Sequence, residues 1–151
     1  MSTPTQATLT VGLQYSERLT VASNHTVPQV DPQWPGFKDM PPVLATAMMI
    51  AFVEQTCIMA LRPFLLPHQR TVGTQVNISH VAPTAIGMEV TVEVELVGIE
   101  GRSLAFKVRC RDEQGLIGDG THQRAIIDLD RFMRRLQDKV AQVQDPTTAK
   151  L

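Results

Sequence analysis

Apolar and polar residues alternate strictly in two stretches of the chain's second half. In residues 88–96 every second position is apolar, and residues 103–111 repeat the pattern with Ala105 as the one neutral break. An alternation with a period of two predicts half-buried β-strands. The segment GIEGR, residues 98–102, predicts a hairpin turn between them. The second half of the chain is therefore expected to contain an antiparallel sheet.

Less regular patterns predict three further strands and a terminal helix. The strands are expected in residues 11–22, 70–81 and 119–129, the last after the turn sequence DEQG. The sequence DLDRFMRRLQDKVAQV then spaces five apolar residues at helical intervals: Leu129, Phe132, Met133, Leu136 and Val140. Such spacing predicts a C-terminal helix. The polar ends, residues 1–10 and 145–151, are expected to fray.

Residues 43–61, VLATAMMIAFVEQTCIMAL, predict one long helix. Ala, Leu and Met dominate it, and Gly and Pro are absent. Apolar residues occur on nearly all sides, which is typical of a buried helix. Residues 25–42, just before it, carry five of the ten prolines and predict a long loop that is neither regular helix nor central strand. A loop of that length usually covers something, so we interpret it as a lid.

The order of these elements predicts the fold. A helix that is apolar on nearly all sides needs a sheet that curls around it. A five-stranded antiparallel sheet wrapped around one long helix is the hot-dog fold, an α+β architecture, and residues 1–151 are expected to form a single domain of this kind. One copy would leave a side of the helix and an edge strand open. A homodimer, or a higher oligomer, is therefore expected.

Composition narrows the class of protein further. Apolar residues make up 43% of the chain, enough for a core, and the net charge of −1 gives no field that favours nucleic acid. Cys57 and Cys110 lie inside apolar patterns, which favours free thiols in a reducing compartment. The N-terminus lacks the features of a signal peptide, and polar residues 54–56 interrupt the longest apolar stretch well short of a bilayer span. A cytoplasmic protein that binds neither nucleic acid nor membrane is expected.

Two residues of the predicted helix are candidates for chemistry. Thr46 lies near its start, where the ordinary role of a threonine is to cap the helix. Glu54 directly follows the seven apolar residues AMMIAFV. It is either the point where the helix reaches water or a dimer rim, or a partly desolvated acid beside an apolar pocket. Spacing alone leaves both readings open.

Two strand positions are further candidates. His80 shares a predicted strand face with Val76 and Ile78, and is either a satisfied core residue or a base. In GDGTHQRAII, His122 and Arg124 face the same way on a strand. Arg124 could hold a carboxylate or phosphate, or form a surface salt bridge. The scattered histidines and the lack of a close Cys pair predict no metal site. Nucleotide-binding α/β folds are excluded because no glycine-rich phosphate loop lies between a strand and a helix, and the missing Gly-x-Ser-x-Gly motif argues against an α/β-hydrolase.

Three motifs together resemble the fluoroacetyl-CoA thioesterase family of hot-dog proteins. They are THQRA, SHVAPTAIG and the spacing of Thr and Glu eight residues apart in the helix. The similarity runs from about Val43 to Leu136 and continues more weakly upstream through HTVPQVDP. Each motif alone is weak evidence, and the combination is specific. The resemblance implies an acyl-CoA thioesterase that uses no cofactor, since coenzyme A is part of the substrate.

The resemblance also implies the site residues. The family's catalytic threonine, glutamate and histidine match Thr46, Glu54 and His80. Its glycine near the thioester carbonyl matches Gly73, and its active-site arginine matches Arg124. The resemblance also implies why Glu54 directly follows seven apolar residues. The acyl group of the thioester would lie against these apolar walls while the Glu54 carboxylate reaches its carbonyl.

The lid is where the chain departs from the family. Fluorine-selective members resemble this chain in the loop before the helix, where two phenylalanines form the lid. The matching positions here are Phe37 and Met40, so half of the aromatic lid is missing. Hydrolysis of several short acyl-CoA thioesters, with reduced selectivity for fluoroacetyl-CoA, is the expected activity.

Two questions stay open at this point. Eight residues of helix rise about 12 Å, so Thr46 and Glu54 meet only if Thr46 lies in the turn entering the helix, or through substrate or a partner subunit. Glu54 either attacks the thioester carbonyl to form an anhydride or activates water together with His80. The alternative functions are a non-catalytic acyl-CoA-binding dimer and a hot-dog hydratase or dehydratase.

Overall fold

Five antiparallel strands form one curled sheet in the computed structural model, which describes residues 7–144. The strands are β1 (Gln14–Thr20), β2 (Gln69–Ile78), β3 (Glu89–Glu100), β4 (Ser103–Asp112) and β5 (Gly115–Asp128). Their order across the sheet is β1-β3-β4-β5-β2, so β1 and β2 are the edges. Every neighbouring pair is antiparallel, which confirms the predicted hot-dog sheet.

The core lies on the concave side of this sheet. The alternating apolar residues of the two predicted strands are buried, namely Val90, Val92, Val94 and Leu96 on β3 and Leu104, Phe106, Val108 and Cys110 on β4. Burying one such large side chain contributes about 1.5–3 kcal/mol. The alternate apolar residues in the sequence are therefore those on the sheet face that packs against the helix.

Helix α3 (Thr46–Leu61) packs into the curve of the sheet and begins three residues later than the predicted range 43–61. One side of it is buried: Met49, Val53, Thr56, Cys57, Ala60 and Leu61. On the other side Ala47 and Ala51 are exposed, and Ile50 and Glu54 are half-buried. One chain therefore encloses this apolar helix on one side only.

By length and composition, the segment Thr46–Phe64 could cross a membrane. The core helix of a folded domain passes the same test, and α3 lies against the sheet through its buried side.

The proline-rich segment is more ordered than the sequence predicted. It contains two single-turn helices, α1 (Val27–Val30) and α2 (Pro35–Lys38), so the prediction of a loop without helix was wrong in detail. Pro28 and Pro35 lie in the first turns, where a missing backbone N–H breaks no helical hydrogen bond. Isolated β-bridges from Thr26 to Leu44 and from Val43 to Ala85 tie the end of the segment to the body of the domain.

Several boundaries differ from the predictions because the hairpin turns are shorter than expected. The β3–β4 turn is only Gly101 and Arg102, with Gly101 at a φ of 60° that suits glycine. Strand β5 begins at Gly115 and not at residue 119, because its turn is confined to residues 113–114.

Strand β2 ends at Ile78, so the prediction that His80 belongs to that strand was wrong.

The predicted C-terminal helix is confirmed as α4 (Leu129–Gln144). Its apolar stripe, which includes Phe132, Met133, Leu136 and Val140, is exposed in the single chain. Residues 1–6 and 145–151 of the expected frayed ends lie outside the described residues. Residues 7–10 of the expected N-terminal frayed segment are described, and among them Leu9 packs against the core.

Candidate active site

Glu54 lies on the open side of α3 and is paired with Arg124 of β5. Nη1 of Arg124 donates a hydrogen bond to Oε2 of Glu54 at 2.7 Å. The side chain of Arg124 is only 2% exposed, while that of Glu54 is 41% exposed. Burial excludes the surface salt bridge that the sequence left open for Arg124. The carboxylate is thus held by a buried cation and still open to a ligand.

Arg124 is itself fixed by β2, the neighbouring edge strand. Its Nε donates to Oγ1 of Thr71 at 2.9 Å, and its Nη2 donates to the backbone oxygen of Thr71 at 2.9 Å. Nη1 also lies 3.2 Å from Nε2 of His122, which faces the same side of β5 as predicted. Sequence reasoning missed Thr71, because nothing in the sequence signals a contact across 53 residues.

Gly73 is placed against the same carboxylate. A Cβ built on Gly73 would lie 2.8 Å from Oε2 of Glu54 and 3.4 Å from Nη1 of Arg124. The register of β2 against β5 shifts between Gly73 and Gln75, which marks a β-bulge at this point. Glycine is needed here for close approach, so Gly73 contributes space and backbone to the site.

Thr46 and His80 form a second pair at the start of α3. Oγ1 of Thr46 lies 2.8 Å from Nδ1 of His80. Ala45 is the N-cap and Thr46 is the first helical residue, so both the cap interpretation and the placement of Thr46 in the preceding turn were wrong. The hydroxyl is instead free to hold the imidazole ring.

His80 is positioned by backbone contacts on both sides. The N–H of Ser79 donates to the Asp119 oxygen at 2.8 Å, and that of Val81 donates to the Ile117 oxygen at 2.7 Å. A Cβ on Gly118 would lie 1.9 Å from the Ser79 oxygen, so glycine there lets β5 approach. Burial lowers the pKa of His80 below 6.5. Its Nε2 is buried and has no hydrogen-bond partner within residues 7–144.

The two pairs are separate within one chain. Thr46 and Glu54 stand eight residues apart on one regular helix, a rise of about 12 Å. Among the described residues, no hydrogen bond joins Thr46 or His80 to Glu54 or Arg124. The structure therefore brings the five predicted site residues together as two clusters on the open side of the domain, with Gly73 in the Glu54 cluster.

The predicted lid residues lie beside Thr46. Phe37 and Met40 line a cavity of about 390 Å³ whose wall also includes Thr46. The ring of Trp34 packs edge-on against Phe37 with centroids 5.1 Å apart. Sequence reasoning missed Trp34, although it is the chain's one tryptophan and lies in the same segment. Met40 is 49% exposed, so the position that replaces a phenylalanine lies at the rim of the cavity.

Other candidate groups can be set aside. Burial raises the pKa of both Cys57 and Cys110 to about 12, so these thiols stay protonated and are poor nucleophiles. Among residues 7–144, no group of three or more His, Cys, Asp and Glu side chains is placed to hold a metal ion. The chemistry available on the open side is that of a carboxylate, an arginine, a hydroxyl and an imidazole.

Comparisons with known proteins identify relatives of the chain in sequence and in fold. A sequence model of the family described as fluoroacetyl-CoA-specific thioesterase matches residues 21–130. The fluoroacetyl-CoA thioesterase of Streptantibioticus cattleyicolor is 36% identical over 129 residues, 85% of this chain and 93% of that protein. The solved structure of the fluoroacetyl-CoA thioesterase FlK gives a TM-score of 0.86 at 35% identity, covering 88% of this chain and 98% of that one. An FlK mutant in complex with fluoroacetate and CoA gives 0.80 at 37% identity, covering 82% and 99%. The resemblance predicted from the motifs is confirmed.

Proposed function

Because the chain belongs to the fluoroacetyl-CoA-specific thioesterase family, we propose that it hydrolyses short-chain acyl-CoA thioesters with Glu54 as the catalytic carboxylate. The observation that carries this proposal is the pairing of Glu54 with Arg124, since a carboxylate held by a buried cation remains 41% exposed to a substrate. The reaction consumes one water and releases a carboxylic acid and the free thiol of coenzyme A. It requires no cofactor.

Two routes through Glu54 fit this geometry. In one, Glu54 attacks the thioester carbonyl, expels the CoA thiolate and forms an anhydride that water then opens. In the other, Glu54 and the neutral imidazole of His80 remove a proton from an attacking water. Backbone N–H groups at the start of α3 support the oxyanion in both routes. A single turnover in oxygen-18 water distinguishes them, because label in Glu54 requires covalent attack.

The site is proposed to be completed by a homodimer. Three features support a second copy: the open apolar side of α3, the unpaired edge of β2, and the separation of the two residue pairs along the helix. We propose that an isologous pairing brings the Thr46–His80 pair of one chain beside the Glu54–Arg124 pair of the other. Light scattering should then give twice the mass of the 16.7 kDa chain. A mass of one chain in dilute solution argues against it.

Mixed dimers test the shared site directly. One chain carries Glu54→Gln and the other His80→Ala, with different affinity tags so that pure heterodimers are isolated. If each site takes one residue pair from each chain, one of the two sites keeps both native pairs, and about half of the wild-type activity returns. If each site is formed within one chain, both sites are damaged and the heterodimer stays as inactive as its parents.

The acyl group is proposed to be small and the selectivity broad. The cavity under Phe37 and Met40 adjoins Thr46, and flexible Met40 closes it less rigidly than a ring does. A panel of acetyl-, fluoroacetyl-, propionyl- and isobutyryl-CoA, followed through the released thiol, tests the function. Binding that raises the melting temperature without thiol release favours a non-catalytic acyl-CoA-binding protein instead.

Two buried free thiols also fit the reducing cytoplasm, which is the proposed location.

A further inference from the structure

A buried histidine beside the Glu54–Arg124 pair has no role in the chemistry described so far. His122 lies on β5, two residues before Arg124, and is 1% exposed. Its cross-strand neighbours are Val76 on β2 and Phe106 on β4. A buried histidine is often simply a core residue whose polar atoms are satisfied. The partners of its two ring nitrogens decide whether this one does more.

The neighbours of His122 fix its tautomer. Nδ1 lies 2.7 Å from the backbone oxygen of Gln75, and a carbonyl can only accept, so Nδ1 carries the hydrogen. Nε2 lies 3.2 Å from Nη1 of Arg124, and a guanidinium can only donate, so Nε2 presents its lone pair. The contact of Nε2 with Arg124 requires a neutral ring, and the contact of Nδ1 with Gln75 fixes which nitrogen carries its hydrogen. The β-bulge of β2 between Gly73 and Gln75 lies at the strand position that supplies the carbonyl.

The contact with Arg124 reaches the catalytic carboxylate. Nη1 of Arg124 has two hydrogens, and its two acceptors are Oε2 of Glu54 at 2.7 Å and Nε2 of His122. Thr71 holds the other side of the guanidinium through Nε and Nη2. Because the guanidinium is planar, an acceptor at the second hydrogen of Nη1 helps to fix the orientation of the whole group, and with it the hydrogen that Nη1 donates to Glu54.

We propose that His122 is a positioning residue for thioester hydrolysis: its Nε2 accepts from Arg124 and keeps the guanidinium directed at Glu54. This inference rests on the proposed function and assigns one more residue to the same site. It adds a link that runs from the backbone of β2 through His122 and Arg124 to α3. A ring that served only to fill the core would also need both nitrogens paired, so the two roles are separated by whether loss of the Nε2 acceptor slows hydrolysis.

Protonation of His122 breaks this link. A second hydrogen on Nε2 would face the hydrogens of Nη1, and the charged ring would repel the guanidinium. The charged groups facing the ring are Arg124 from its own strand and Glu54 from α3, while β2 contributes the neutral Gln75 carbonyl and β4 contributes Phe106. Burial is the main reason that the pKa of His122 lies below 6.5, and the native ring is neutral at pH 7.

Two substitutions separate the two hydrogen bonds. His122→Gln can place its amide oxygen where Nε2 was and keep an acceptor for Arg124. His122→Asn can place its amide nitrogen where Nδ1 was and keep the donor to Gln75, but it offers Arg124 nothing. With acetyl-CoA and propionyl-CoA at pH 7.5, we expect His122→Gln to stay within about threefold of wild-type kcat. We expect His122→Asn to lose about ten- to a hundredfold in kcat with little change in KM, the scale of one hydrogen bond to a charged group.

The pH dependence of kcat/KM is a measurement that would not change if His122 only packed in the core. Each group that must lose a proton before the reaction adds one to the limiting slope of log kcat/KM against pH on the acid side. Glutamine does not titrate, so the limiting slope of His122→Gln should be smaller than that of wild type by about one. Equal losses in both variants with unchanged melting temperatures overturn the proposal, as does a limiting slope in His122→Gln equal to that of wild type.

Nitrogen NMR decides the hydrogen-bond assignment without any activity. In the ¹⁵N-labelled wild type at pH 7.5, we expect His122 with a protonated Nδ1 and a bare Nε2. A protonated Nε2 overturns the proposal even if the variants lose activity. If wild type releases no thiol from any acyl-CoA, the proposed function fails and the role in hydrolysis fails with it. If wild type is active and both variants match it, only the role of His122 fails.

Discussion

The two residue pairs on the open side of the domain differ in how completely one chain satisfies them. Around Glu54, Arg124 has partners on α3, β2 and β5 and is 2% exposed. Around His80, the ring has one side-chain partner, Thr46, and its Nε2 has none among the described residues. A fully satisfied polar network is rigid, whereas a buried polar atom without a partner leaves its network incomplete. The Glu54 pair is therefore fixed within one chain, and we propose that the His80 pair is completed by substrate or by a partner subunit.

Glu54→Gln, in the Glu54–Arg124 pair, should have the largest effect on activity. Glutamine keeps the volume and an oxygen that accepts from Arg124, but it neither attacks a carbonyl nor removes a proton. We expect kcat/KM for acetyl-CoA to fall by about a thousandfold or more, roughly 4 kcal/mol of transition-state stabilisation. The melting temperature should change by less than about 5 °C, on the order of 1–2 kcal/mol. Glu100→Gln, at the exposed end of β3, is the matched control and should be neutral. Near-normal activity in Glu54→Gln would remove Glu54 from the mechanism.

His80→Ala tests the open pair and should have the next largest effect, about a hundredfold in kcat. Burial lowers the pKa of His80 below 6.5, so the base is neutral at pH 7 and wild-type activity should rise with pH below 6.5, earlier than for a free histidine. The variant should lose one ionisation from that limb. A wild-type profile that is flat from pH 4.5 to 7.5 contradicts the assignment of His80 as base.

The same shift predicts how stability depends on pH. The unfolded chain binds a proton at each histidine near pH 6.5, whereas folded His80 and His122 bind it only at lower pH. Their contribution to stability is therefore complete above pH 6.5 and is lost as the pH falls through their folded pKa values. Melting temperatures should decline on acidification, and less so in His80→Ala. An unchanged decline in that variant argues against a buried neutral His80.

Gly73→Ala should move the satisfied cluster without removing any of its groups. The added Cβ would lie 2.8 Å from Oε2 of Glu54, closer than real contacts allow, so the carboxylate or the strand that carries residue 73 must shift. A displacement of about 1 Å costs on the order of tenfold or more in kcat. Gly98→Ala is the control: it also lies at a β-bulge, but its Cβ would meet only Ala105 at an ordinary 3.5 Å. Equal behaviour of the two variants would show that steric contact with Glu54 is unimportant.

The comparison also shows what the sequence could and could not predict. The alternation of β3 and β4 and the apolar length of α3 predicted the fold, because burial of one strand face and of one helix leaves a periodic record. Thr46, Glu54 and His80 were singled out as candidates from the sequence, and the resemblance to a family gave them catalytic roles. Their arrangement as two pairs was left open, because it depends on where α3 begins. The contact of Thr71 with Arg124 was missed, because it joins residues 53 positions apart. The β-bulge at Gly73 and the tautomer of His122 leave no periodic trace either.

Met40→Phe should have the smallest effect, and it concerns selectivity at the open pair. Met40 lines the cavity beside Thr46 with Phe37, whose ring is backed edge-on by Trp34. A flexible side chain at the exposed rim should let the cavity accept several small or branched acyl groups. Wild type should therefore separate acetyl- from fluoroacetyl-CoA mainly through the greater electrophilicity of the fluorinated thioester. A rigid second ring should narrow the cavity and lower kcat/KM for isobutyryl-CoA several-fold more than for acetyl-CoA.

Met40→Leu is the control for that substitution, because it keeps an aliphatic side chain of similar volume and should leave the ranking of substrates unchanged. The decisive measurement is the wild-type ratio of kcat/KM for fluoroacetyl-CoA over acetyl-CoA. A ratio above about a thousandfold corresponds to roughly 4 kcal/mol of discrimination, more than electrophilicity and a loose lid are expected to supply. Selectivity would then arise where Glu54, His80 and Arg124 meet the α-carbon of the acyl group. In that case the rigid, satisfied cluster would set substrate choice, and the lid would only exclude water.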